Sequence, residues 1–453
     1  MIRALVCIAV MTCVPLCGEA ADTHVRLMTL DPGHFHAALV QKFMYPQVNQ
    51  VVHVFSPGGP DLEGHLKRID GFNTRSENPT AWKEVVYQGP DFFAKMIRER
   101  PGNVVVISGN NALKSKYILD CVQAGLNVLA DKPMAITTEG FELVREAFTQ
   151  AAQRHVLLCD IMPERYEITT VLQRELSRNA AVFGRLEAGT PETPSVVIEN
   201  VHHFCKQVAG KTLARPPWFF DPKQQGEGIV DVMTHLVDLV QWESFPEQSL
   251  SPGDAKVLTA RRWPTRLTLE QFQRVTGATE YPDYLRPYAG QEKNLEPYCN
   301  GAFTYTLRGV HARVSVEWRF EPVGGLAGDT HDSLMRGTKC VLAIRQGRED
   351  NWLPTLYVEK RPGVAGGEFD RALRAAVSGL AANWPGVDMR PSADGWVITI
   401  PDQYKVGHES HFAQVTAQYL KNLANGKLPD WEVPNMLTKY STIMQAYQLS
   451  RPQ

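Results

Sequence analysis

The sequence predicts an α/β fold: a parallel sheet covered by helices, followed by an α+β region built on a large open, mostly antiparallel sheet. Two observations carry this. From Val25 to about residue 162, short apolar or β-branched runs alternate with amphipathic stretches, the pattern of a parallel sheet buried on both faces. Beyond Pro163, strand-like runs recur at short intervals, as an open sheet requires. A chain of 453 residues has room for two or three domains, each burying its own core.

Taken in order, the chain begins with Arg3, an apolar run from Ala4 to Leu16, and small residues at Gly18 and Ala20. A charged start, a short apolar core and a small-x-small site read as a secretory leader cleaved near Ala20, so residues 1–20 are assigned to a signal peptide and the protein to the periplasm. The run is too short to span a bilayer. Leu16 stands where a lipid-anchor site needs a small residue, which argues against an anchor on Cys17. Strands are expected at Val25–Leu30, Val51–Phe55, Glu84–Tyr87, Val104–Ser108, Asn127–Ala130 and Val156–Asp160. Helices are expected at Ala37–Phe43, Leu62–Ile69, Asp91–Glu99, Ala112–Ala124 (ended by Gly125) and Glu139–Gln153. This alternation is the Rossmann, dinucleotide-binding architecture, here over residues 21–162, and its ligand site lies at the carboxyl ends of the strands. The second region, residues 163–453, carries strand-like runs at Val196–Phe204, Lys256–Arg262, Ala302–Leu307, Ala312–Phe320, Lys339–Arg345, Thr355–Lys360 and Trp396–Ile400. Residues 265–300 look like an insertion, with Tyr281, Tyr284, Tyr288 and Tyr298 able to stack on sugar rings or to pack locally. Helices are expected near the end, about 407–450.

The first strand–helix turn reads Asp31-Pro32-Gly33-His34-Phe35-His36. The dinucleotide fingerprint has three glycines with separate steric jobs; Gly33 stands at the middle one, which lets backbone amides approach a pyrophosphate. Gly33, His34 and Phe35 are therefore candidate cofactor contacts. So is Ser56, where the second strand ends without the acid that holds the ribose of NAD. The choice between NAD and NADP stays open.

Two longer segments carry more. Residues 104–134 read VVVISGNNALKSKYILDCVQAGLNVLADKPM, with a turn at Gly109-Asn110-Asn111 and a terminal Asp131-Lys132-Pro133. Residues 218–242 read WFFDPKQQGEGIVDVMTHLVDLVQW. The expected helix Ile229–Trp242 is apolar nearly all round, yet holds Asp231, His235 and Asp238 at i, i+4 and i+7, and buried ionisable groups are costly unless paired or used. The bland alternative is a core histidine bonded to Asp231. These segments resemble the glucose–fructose oxidoreductase / inositol dehydrogenase (Gfo/Idh/MocA) family, with Asp131 in place of the usual Glu of its E-K-P motif. Arg165-Tyr166 matches the family's basic-aromatic pair, and Lys114 stands where many relatives have His. The likeness is good over Val25–Trp242 and looser after.

The resemblance implies hydride transfer between a secondary alcohol of a sugar or polyol and NAD or NADP, with the cofactor held tightly. Lys132 would stabilise the reacting oxygen, His235 would serve as base, and Asp231 would orient His235; Asp238 would be structural. Asn110, Asn111, Asp131, Lys132 and Arg165 join the expected cofactor contacts. For His408 and His411 the sequence favours the cleft and the solvent equally. The absence of glycines at Asp31 and His36 and the leader leave two alternatives: a redox-neutral, NAD-dependent glycoside-processing enzyme, or a non-catalytic carbohydrate-binding relative.

Composition bounds the partners. A net charge of −2 and 21% charged residues carry no basic excess for nucleic acid. The expected partner is a small sugar or glycoside, with self-association through the second sheet as a further expectation. Of eight cysteines, five follow the leader, scattered, with Cys121 and Cys159 in apolar patterns that bury them as thiols. No HExxH or clustered Cys/His pattern occurs, and no metal site is expected.

Overall fold

A computed structural model describes residues 25–208, 211–290, 294–322 and 328–451. The expected leader, with Arg3, Cys17 and Ala20, lies outside the described residues. The first sheet contains β1 (Leu27–Leu30), β2 (Val51–Ser56), β3 (Lys83–Gln88), β4 (Val104–Ile107), β5 (Asn127–Asp131) and β6 (Leu158–Ile161). All are parallel, in the order β3-β2-β1-β4-β5-β6, the Rossmann arrangement with its switch point between β1 and β4. β1 and β4 are buried at every position, which is why they read as unbroken apolar runs. The connecting helices are α1 (His36–Leu39), α2 (Pro60–Thr74), α3 (Phe92–Glu99), α4 (Lys114–Gln123) and α5 (Thr138–Arg154). Thr137 caps α5 by accepting from the Gly140 amide, and Gly125, at φ 78°, ends α4. α1 departs from expectation: instead of running to Phe43 it is a single turn.

The rest of the chain adds α6 (Ile168–Ser177), β7 (Val196–His203), the short pair β8 (Gln207–Val208) and β9 (Lys211–Thr212), α7 (Met233–Ser244), β10 (Ala255–Trp263) and α8 (Leu269–Thr276). Then come β11 (Asn300–Leu307), β12 (Val310–Arg319), β13 (Thr330–Arg336), β14 (Cys340–Arg345), β15 (Thr355–Lys360), α9 (Gly366–Leu380), β16 (Asp388–Ser392), β17 (Gly395–Thr399), α10 (His408–Ala424) and α11 (Glu432–Leu449). Nine strands form one sheet, β10-β11-β12-β7-β13-β14-β15-β17-β16, antiparallel throughout except β12 with β7. β13 was not legible in the sequence. It begins Thr330-His331-Asp332-Ser333, polar residues with no alternation, and is held in mid-sheet by β7 and β14.

Two differences bear on the site. The helix expected from Ile229 begins at Met233, so Asp231 lies in the turn before it rather than on its face. The insertion at 265–300 folds back as α8, with Phe272 fully buried and its ring 5.2 Å from Phe220 and 5.0 Å from Tyr281; its tyrosines line none of the main cavity described below. One hydrophobic cluster runs from the first sheet into the second, and α11 packs against α5, α7 and β10. The chain end thus returns to seal the two sheets together. The five described cysteines are free, and no described helix is long and apolar enough to cross a membrane.

Candidate functional site

A cavity of about 750 Å³ opens at the carboxyl ends of β1 and β5 and is walled on its other side by β7, β13 and the start of α10. Seven of the chain's thirteen histidines line it: His34, His36, His202, His235, His331, His408 and His411. The sequence-expected trio reaches it together. Lys132 directly follows β5 and is joined to Pro133 by a cis bond. It forms an ion pair with Asp231 at 2.5 Å, across 99 residues of sequence. Lys132, Asp231 and His235 all line the cavity.

Their roles differ from the expected triad. Asp231 does not touch His235: one of its oxygens takes the Lys132 ammonium and the other accepts from Gln225 at 2.9 Å. Burial works against the Asp231 carboxylate, but Lys132 holds its pKa below the usual range. His235 is buried, and its Nδ1 has no hydrogen-bond partner among the described residues. Burial, with Lys132 adding to it, pushes its pKa down to about 4. It is therefore a neutral imidazole with a free nitrogen. Asp231 orients Lys132, not His235.

Arg165 also departs from expectation. Expected as a cofactor contact, it is engaged inside the protein: its guanidinium grips Asp238 through two bonds of 2.6 and 2.7 Å and reaches Glu432 at 2.9 Å. Lys439, fully buried, bridges Asp238 at 2.9 Å and Asp160 at 2.7 Å, and Tyr440 donates to Asp160 at 3.0 Å. This interior network ties β6, α7 and α11 together, and it accounts for Asp238 as a structural acid.

The first turn is filled by the protein itself. Gly33 and His34 both direct their amides at the Ser108 carbonyl, 3.2 Å away. The left-handed residue is Asp31, at φ 47°, not Gly33. A Cβ on Gly33 would come within 3.0 Å of both the Trp218 ring and an Asp61 oxygen, and Trp218 donates to Asp61 at 2.8 Å. Burial, then Asp61 nearby, raises Asp31 to about pKa 6. Asn110 is bonded to Gln224 at 2.7 Å and Asn111 to the Gln225 carbonyl at 2.7 Å. A pyrophosphate seated at this turn would have to take the Gly33 and His34 amides from the Ser108 carbonyl and displace Trp218 and Asp61 from over Gly33. Of the expected contacts, His34, Phe35 and Lys132 line the cavity; Gly33, Ser56, Asn110, Asn111 and Asp131 do not.

Beneath that wall, Asp131 collects donors. His36 Nδ1 lies 3.0 Å from its Oδ2, Ser108 Oγ donates to the same oxygen at 2.9 Å, and His34 Nδ1 is 3.3 Å away. Lys114, buried and lowered by burial to about pKa 8, donates to the Asp131 backbone carbonyl at 3.0 Å. Burial works to raise the Asp131 carboxyl, yet the two imidazoles hold it well below the usual range. His36 Nε2 faces His408 Nε2 at 3.4 Å, and His408 Nδ1 is 3.4 Å from Glu164. The side chains of His36, Glu164 and His331 were not expected at the site. The His34-x-His36 spacing was the available signal, with His36 taken for a lost glycine.

The family model described as "Putative oxidoreductase C terminal domain" matches residues 172–451. Among solved structures, the chain is similar to that of a "putative oxidoreductase" from Parabacteroides merdae, at 52% identity and a TM-score of 0.92, covering 95% of this chain and 98% of that one. It is similar to a levoglucosan dehydrogenase in complex with NADH and levoglucosan, at 14% identity, TM-score 0.58, and 94% and 97% coverage. It is also similar to a biliverdin reductase from Synechocystis in complex with biliverdin and NADP+, at 12% identity, TM-score 0.56, and 94% and 99% coverage. These last two share the fold and differ in substrate. No curated protein matches the chain.

Proposed function

The chain belongs to the oxidoreductase family of the Gfo/Idh/MocA type, and from that premise we propose that it moves a hydride between a secondary alcohol of a sugar or polyol and NAD or NADP, acting outside the cytoplasm. The observation that carries the reading is the presence of Lys132 and His235 together in the lining of one cavity large enough for a sugar. NAD(P) would supply the hydride acceptor, as it is present in the levoglucosan dehydrogenase and biliverdin reductase complexes.

The chain's own part is proton handling and charge. The Lys132 ammonium, held by Asp231, donates to the substrate oxygen and stabilises negative charge there. His235, neutral with an unpartnered Nδ1, takes the hydroxyl proton as the carbon is oxidised, and returns it in the reverse direction. Replacing His235 or Lys132 with Ala is expected to lower turnover by roughly two to four orders of magnitude. Full activity in both folded variants sinks the assignment. The filled first turn favours a second reading, a carbohydrate-binding relative that holds no dinucleotide. Calorimetric titration of NAD+ and NADP+ into wild type and Trp218→Ala separates them. Under the first reading, wild type binds one of the two and Trp218→Ala, with Gly33 uncovered, binds it roughly tenfold more tightly, about 1.4 kcal/mol. Binding by neither protein leaves the second. Export rests on the leader in residues 1–20 and is checked by N-terminal sequencing from the native host, where a chain beginning near Ala21 is expected.

A further inference from the structure

We propose that His34, His36 and Asp131 bind one divalent transition-metal ion, with its remaining coordination positions open to the cavity. The three residues offer one ligand atom each, and these atoms all lie within 4.8 Å of one another. The separations are 3.0 Å from His36 Nδ1 and 3.3 Å from His34 Nδ1 to Asp131 Oδ2. Ligand bonds of about 2.0–2.2 Å at tetrahedral angles place neighbouring ligand atoms roughly 3.3 Å apart, so a small inward or outward shift of each side chain admits the ion.

The hydrogen bonding of the cluster points to a ligand. Two imidazoles and the Ser108 hydroxyl crowd one oxygen of Asp131, while its other oxygen is buried with no partner among the described residues. His34 Nδ1 is likewise buried and lacks hydrogen-bond geometry to any described partner. A carboxylate sharing its donors evenly would use both oxygens. Crowding at one point is the arrangement of groups that surround a cation rather than each other. The outer contacts agree. With Nδ1 on the metal, His36 keeps its Nε2–H for His408 Nε2 at 3.4 Å, and His408 turns its Nδ1–H toward Glu164 at 3.4 Å. Such a chain fixes the tautomer and ring angle of a liganding histidine. Lys114 holds the backbone of Asp131 in place.

Two imidazoles and one carboxylate select a transition ion such as Zn²⁺, Fe²⁺ or Co²⁺ over Mg²⁺ or Ca²⁺, which take oxygen ligands. Three protein ligands leave room for an exogenous oxygen, the pattern of a catalytic rather than a structural ion. His34 and His36 line the cavity beside Lys132, so that oxygen belongs to whatever occupies the cavity: a hydroxyl or carbonyl of the substrate. The inference stands on the cluster and does not depend on a nicotinamide carrier.

The test is metal binding by the full-length protein, stripped with a chelator and titrated with Co²⁺ by visible absorbance and with Zn²⁺ by calorimetry. One equivalent is expected, with a ligand-field band for Co²⁺. His34→Ala and His36→Ala are each expected to weaken binding at least 100-fold and His408→Ala roughly tenfold, while His53→Ala, on β2 and outside the cavity, leaves it unchanged. Circular dichroism establishes that each variant is folded; should His36→Ala fail to fold, the partly exposed His34 carries the comparison. Folded wild type that binds well under one equivalent, or folded His34→Ala that binds as wild type does, overturns the proposal. Metal binding without NAD(P) binding removes the nicotinamide carrier and leaves this site standing.

Discussion

At the scale of single residues, burial decides more than sequence neighbours do. His235 and Asp231 are four apart, a spacing that makes an acid–base pair on a helix. The helix starts too late for this, and the acid is drawn to Lys132 instead. What remains is a buried imidazole with its pKa pushed down to about 4. Its basic form is therefore present at all pH values above about 4, and is lost only as pH falls through that value. The expected consequence is a His235 ring resonance that stays unprotonated through pH 6 in an NMR titration. A midpoint near the ordinary 6.5 contradicts the burial-driven shift. His235 was legible because ionisable residues on an otherwise apolar helix stand out, and Lys132 because Asp131-Lys132-Pro133 resembles a motif of the Gfo/Idh/MocA family. His34 was read as a cofactor contact and His36 only as a departure from a glycine pattern.

At the scale of elements, β6, α7 and α11 are joined by interior charges. Lys439 has no exposed side-chain surface and serves two carboxylates at once. Removing one partner of a buried charge network leaves the others unpaired in a medium that solvates them badly. Lys439→Met is therefore expected to cost about 3–5 kcal/mol of stability, measured by urea unfolding, while leaving Co²⁺ binding at the His34–His36–Asp131 cluster intact in the folded protein. A loss below about 1 kcal/mol would mean that the carboxylates have taken up protons or water without strain. The strands of this chain were well marked in sequence where apolar residues run unbroken, as in β4. They were unmarked where a polar strand such as β13 is held by its neighbours on both sides.

At the scale of the whole molecule, the site exists because a loop of the second sheet closes over the strand ends of the first. Residues 216–232 bring Trp218 onto the Gly33 turn, Gln224 and Gln225 onto Asn110 and Asn111, and Asp231 onto Lys132. The loop is pinned at Gly228, where an added Cβ would lie 1.7 Å from the Cys299 carbonyl oxygen. That neighbour is backbone and cannot swing aside. Gly228→Ala is expected to lower stability by about 1–3 kcal/mol and to weaken substrate binding by displacing Asp231. Unchanged thermal unfolding would show that the loop has room to move.

The sequence by itself determined the alternation of strands and helices, the parallel first sheet and the largely antiparallel second one. These follow from local burial patterns, which a strand or helix prints on its own residues at a fixed period. Only the tertiary structure decided that Arg165 is interior scaffolding, that the first turn is filled by Trp218 and Asp61, and that His34, His36, Asp131, His408 and Glu164 meet at one point. Those residues come from four separate stretches of chain. Their convergence depends on which strand ends lie side by side and on α10 returning across the cleft, and no local period records contacts made over hundreds of residues.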